Sequence, residues 1–107
     1  MIVSPYIPAT RGARLIIVGK VEDVGFEEFA ALYALRLSLA GRLTQLGGGR
    51  LEIELCGPRE LIEMFETACW LGPREALVDT VIISSEAPSS QYNNFSINSQ
   101  DCVPRRQ

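Results

Sequence analysis

The 107-residue chain contains no histidine. That absence excludes histidine acid–base catalysis, histidine-based triads and imidazole metal ligands. Basic charge is not in excess either: 10 lysines and arginines stand against 13 acids, a net charge of −3. A dedicated nucleic-acid binder needs a basic footprint, so that class is excluded. No apolar run approaches the roughly 20 residues of a membrane span. The N-terminus lacks a charged stretch leading into an apolar one, the pattern of a secretion signal. The three cysteines, Cys56, Cys69 and Cys102, include no closely spaced pair. They read as free thiols in a reducing compartment. The expectation is a cytoplasmic protein, off the membrane and without a cofactor.

What is present is ordinary for a globular domain: 47% apolar and 21% charged residues. Residues 1–13 carry Pro5, Pro8 and Gly12 without apolar periodicity and read as an extended arm. Arg14 to Val18 is a β-branched run that predicts a central strand. From about residue 25 to 38, Phe26, Phe29, Ala30, Tyr33 and Leu37 share one helical stripe. Arg42 to Leu46 and Arg50 to Cys56 read as strands joined by Gly47-Gly48-Gly49, a turn rich in positive φ. Leu51, Ile53 and Leu55 alternate with Glu52 and Glu54, which predicts one buried face and one wet face. Gly57-Pro58 opens a second helix and Gly72-Pro73 closes it, with Leu61, Ile62, Phe65, Ala68 and Cys69 facing inward. Val78 to Ser84 and Tyr92 to Asn98 read as strands, and residues 99–107 as a tail. The order is βαββαβ plus a terminal strand, an α+β ferredoxin-like sandwich over residues 14–98 with two helices on one face of a mostly antiparallel sheet of four or five strands.

Two stretches resemble the acylphosphatases, whose signature runs close to G-R-V-Q-G-V-G-F-R and then A-x-x-L-G-L-x-G-W-V-R-N. This chain reads Gly19-Lys20-Val21-Glu22-Asp23-Val24-Gly25-Phe26-Glu27, then Ala34-Leu35-Arg36-Leu37-Ser38-Leu39-Ala40-Gly41-Arg42-Leu43-Thr44-Gln45. A Gly72-Pro73 step and a closing Phe95-Ser96-Ile97 follow in the expected order. The resemblance implies a loop, Glu22, Asp23, Val24, Gly25 and Phe26, whose backbone N–H groups cradle a phosphate beside a helix start. It also implies that Glu27 stands where the family has its phosphate-binding arginine, and Gln45 where it has its water-orienting asparagine. A carboxylate in place of that guanidinium repels the dianion that the arginine would hold. Glu22, Asp23, Glu27 and Glu28 place four carboxylates in seven residues around the cradle. Phosphate binding is therefore expected to be weak.

The outer side of the first helix shows Leu32 and Leu35, and the outer side of the second shows Trp70. Such apolar patches often mark partner surfaces, so a homodimer or protein partner is expected there. Three readings follow. The leading one is an acylphosphatase-like domain that has lost hydrolysis and acts as a binding, regulatory or oligomerising module. The alternative is an active acylphosphatase with an altered site. The third is a domain that binds a cation or cationic ligand through residues 22–28, since carboxylates suit hard cations.

Overall fold

Strict alternation builds the sheet. In the computed structural model, which describes residues 10–85 and 95–98, the five strands are β1 (Thr10–Lys20), β2 (Ala40–Gln45), β3 (Arg50–Pro58), β4 (Leu77–Ser85) and β5 (Phe95–Asn98). The helices are α1 (Phe26–Arg36) and α2 (Arg59–Leu71). The strand order is β4-β1-β3-β2-β5, antiparallel throughout except for the parallel pair β2 and β5. Both βαβ crossovers place their helices on one face, which gives the ferredoxin-like sandwich.

Leu15 and Ile17 of β1, Leu43 of β2 and Leu51, Ile53 and Leu55 of β3 turn to the helices and are buried. Phe26, Ala30 and Ala34 of α1 and Ile62, Phe65 and Cys69 of α2 close the core from above. The residues between them on the strands face away from the helices. There Arg14 Nε lies 2.9 Å from Glu52 Oε2, and Arg42 Nη2 lies 3.3 Å from Glu54 Oε1. Arg42 and Glu54 are directly opposite in the ladder, the arrangement in which opposite charges support pairing.

Three details differ from the sequence reading. First, β1 begins at Thr10, so the last residues of the segment read as an arm are rungs of the sheet, pairing with Leu55 through Pro58. Gly12 looks like a breaker, yet it sits opposite Cys56, where a residue without a side chain costs the ladder nothing sterically. Residues 1–9 and 99–107, also read as arm and tail, lie outside the described residues. Second, α1 is rolled toward its alanines. Ala34 is fully buried, whereas Phe29, Tyr33 and Leu37 are only partly so. The small Ala30 and Ala34 let the helix approach the sheet closely, and the aromatic rings pack along its margin, Phe29 and Tyr33 with centroids 4.8 Å apart. Third, Pro58 is the N-cap of α2 rather than its first helical residue. Its missing N–H is no loss there, because no helical partner would receive it. At Gly41 of β2 a Cβ would overlap the Glu54 carbonyl oxygen, so only glycine allows the two strands their spacing.

Candidate active site

The site forms where β1 runs into α1, beside the end of β2. Val21 anchors the connecting loop by burial in the core. The next turn needs two left-handed residues, Asp23 at φ 58° and Gly25 at φ 84°. Aspartate is one of the few side chains that adopt this conformation readily, so the turn survives without a glycine at 23. Gly25 is the N-cap of α1 and has no side chain to cap with, leaving the first N–H groups of the helix open to the cleft side. Phe26 is buried beneath them. A left-handed turn thus leads into a helix start without a side-chain cap, the backbone features that the resemblance requires of an anion cradle.

The side chains around that backbone are not those of an anion site. Gln45, the last residue of β2, donates from Nε2 to Glu27 Oε2 at 2.5 Å. The contact spans the two elements and closes one wall of a cleft of about 170 Å³ lined by Val21, Asp23, Gly25, Phe26, Glu27, Glu28 and Gln45. Glu27 and Gln45 are half-buried, while Asp23 and Glu28 are exposed. Among the described residues, none of Glu22, Asp23, Glu27 and Glu28 is paired with a lysine or arginine. Arg42, in the second motif, is committed to Glu54 on the far face of the sheet.

Two side chains of the loop point away from the cleft. Glu22 turns away from the cleft, and its Oε2 accepts the Gly49 N–H at 3.1 Å, in the β2–β3 hairpin. Gly19 N–H in turn donates to the Gly49 carbonyl at 2.9 Å. One hairpin residue is therefore held from both sides, and Glu22 is a strut between loop and hairpin rather than a charge in the cradle. Sequence spacing gave no sign of this, because 22 and 49 meet only through the fold. Val24 packs partly against the core. Leu32 is 45% exposed, Leu35 76% and Trp70 46%, so the three residues expected at an interface do face outward.

The cation reading finds no geometric support. Among the described residues, no group of three or more cysteines or carboxylates is placed to hold a metal ion. Glu22 and Glu27 are instead turned toward protein N–H donors. The two thiols among the described residues are quiet as well. Burial, with a smaller push from Glu66, raises the Cys69 thiol to about 12. Burial and then Glu54 also raise that of Cys56. A thiol so shifted is a poor nucleophile at neutral pH.

Comparison with known proteins settles the family. The Acylphosphatase family profile matches residues 13–97. The chain belongs to the acylphosphatase family. It is similar to the acylphosphatase of Koribacter versatilis, 33% identical over 84 residues, covering 78% of this chain and 76% of the relative. It is also similar to that of Aeromonas salmonicida, 40% identical over 82 residues, covering 75% of this chain and 88% of the relative. Among solved structures, an acylphosphatase from Coxiella burnetii superposes with a TM-score of 0.79 at 28% identity, covering 83% of this chain and 93% of that one. The acylphosphatase fold is thus shared essentially whole, and the αL turn at Asp23–Gly25 lies within it. No helix among the described residues is long and apolar enough to cross a membrane.

Proposed function

We propose that this acylphosphatase-family domain binds phosphate weakly, has lost the hydrolysis of acyl phosphates and acts through its surface as a binding module. The observation that carries this reading is the Glu27–Gln45 contact. At the two positions where the resemblance puts an anion-holding cation and a water-orienting amide, the chain has a carboxylate and a longer amide. Their polar atoms are turned to each other. Removal of a single transition-state donor costs about 2.7–4 kcal/mol, on the order of 100- to 1,000-fold in rate. A charge reversal removes the donor and adds repulsion. The Gln45 amide, one methylene longer, also displaces a bound water by about an ångström, an error that can cost about 100-fold. No cation among the described residues is paired with the carboxylates left at the cleft, Asp23, Glu27 and Glu28, to compensate.

A second reading has its own support. The relatives carry the name acylphosphatase, and the family profile spans nearly the whole domain. The comparisons favour this reading over the first: an acylphosphatase that splits the acyl–phosphate bond with an altered site. Its machinery would be the backbone of residues 22–26, the open N-terminus of α1 and the amide of Gln45. Incubation of the chain with a simple acyl phosphate, with release of inorganic phosphate followed against a protein-free control, separates the two. The first reading expects release at the spontaneous rate, and the second expects enzyme-like turnover.

A further inference from the structure

The outer face of α1 carries a pattern that fits itself. At 100° per residue, Glu28, Ala31, Leu32, Leu35 and Arg36 fall within roughly 140° of the helix surface. That face is opposite the buried Phe26, Ala30 and Ala34. A solvent-facing stripe is normally charged throughout, yet here the middle is apolar and open, with Leu32 45% and Leu35 76% exposed. Beside it runs a groove of about 480 Å³ between α1, β2 and β5, with Ala31, Ala34 and Leu35 on its α1 side. The charges stand only at the ends. Glu28 and Arg36 lie four residues either side of Leu32, about 6 Å along the axis in each direction. They are about 12 Å from each other, too far to pair within the helix. Neither has an ion pair among the described residues, and the guanidinium of Arg36 rests 5.9 Å from the Tyr33 ring centroid.

We propose that this face binds a second copy of the chain, with the two α1 helices antiparallel about a two-fold axis at Leu32. In that arrangement Leu32 meets its own counterpart, and Glu28 of each copy meets Arg36 of the other. One unpaired acid and one unpaired base become two ion pairs flanking a leucine seam. A two-fold interface requires such self-complementarity, and an unrelated partner would have to supply the same spacing independently. The contact rests on one 11-residue helix, whereas stable complexes bury at least roughly 1,200 Å². The dimer is therefore weak and concentration-dependent. This proposal goes beyond the reading of the active site and does not depend on it.

Sedimentation equilibrium on the full chain, from micromolar to near-millimolar protein, tests it. A monomer–dimer equilibrium is expected, weakened by added salt and abolished by Leu35→Asp. Glu28→Arg and Arg36→Glu should each weaken self-association by roughly tenfold or more, since two pairs become two repulsions. An equimolar mixture of those two variants should regain a dimer, because one copy then carries only bases and the other only acids at these positions. Both substitutions are on exposed residues, and circular dichroism verifies their folding. The salt series needs no variant at all. A chain that stays monomeric throughout overturns the proposal. So does a dimer that survives Leu35→Asp, ignores salt, or fails to re-form in the mixture.

Discussion

Glu27→Gln isolates charge from shape at the cradle. The amide is nearly isosteric with the carboxylate, and its oxygen still accepts the Gln45 N–H that Glu27 receives at 2.5 Å. What changes is a single negative charge on the cleft wall. A carboxylate about 4 Å from a phosphate charge is repelled by about 4 kcal/mol at an effective dielectric constant of 20, and by about 1 kcal/mol in water. Glu27 is half-buried, so the penalty lies between these limits. Its removal is therefore expected to tighten inorganic phosphate binding by roughly tenfold to a few hundredfold. Glu27→Arg combined with Gln45→Asn should tighten it further, because a guanidinium can hold two phosphate oxygens at once. The same pair should also raise acyl phosphate hydrolysis by on the order of 100-fold or more over the unaltered chain. Calorimetric titration with phosphate measures the first effect, and phosphate release from an acyl phosphate measures the second. If Glu27→Gln binds phosphate no better than the unaltered chain, charge at position 27 is not what keeps the anion out.

Other expectations concern the frame that holds the site. Gly41→Ala should lower stability by about 1–3 kcal/mol in urea unfolding, because the new methyl group meets the Glu54 carbonyl and the strands must part. Glu22→Ala should cost about 1.5–3 kcal/mol by the same measurement, the usual value of a hydrogen bond to a charged group, and Glu22→Gln should cost less because its amide oxygen still accepts from Gly49. The Cys69 thiol is held at about 12 in the folded chain. The unfolded chain ionises it first, near the ordinary thiol value of about 9, and so binds fewer protons between these limits. Stability should accordingly fall as pH rises through that window, by up to about 1.4 kcal/mol per pH unit, and Cys69→Ala should flatten this part of the profile.

Much of the sheet was legible because its signals are local. Leu51, Ile53 and Leu55 are buried on one face and Glu52 and Glu54 are paired on the other, as alternation requires. Gly47, Gly48 and Gly49 all take positive φ in the hairpin between them. The strand ends were harder to read. Gly12, Gly57 and Pro58 punctuate most chains, but here they sit in the ladder between β1 and β3, where tertiary pairing overrides local preference. The facing of α1 follows periodicity only in part: Phe26 and Ala30 of the predicted stripe are buried, but close packing on the sheet adds the small Ala34 and leaves Phe29, Tyr33 and Leu37 at the margin.

At the site, the motif spacing located the loop and the two altered positions. It could not show that Glu27 and Gln45 would satisfy one another, or that Glu22 would leave the cradle for Gly49. Those contacts join residues 18 and 27 apart in sequence, and only the folded backbone brings them within reach.

The turnover of the unaltered chain on a simple acyl phosphate at neutral pH, with phosphate release compared against buffer alone, decides whether the carboxylates at the cradle have ended hydrolysis. Lost hydrolysis leaves release indistinguishable from the spontaneous rate at every protein concentration. Release that scales with protein concentration, saturates with substrate and is abolished by Gln45→Ala would contradict it and establish an active acylphosphatase with a rebuilt site.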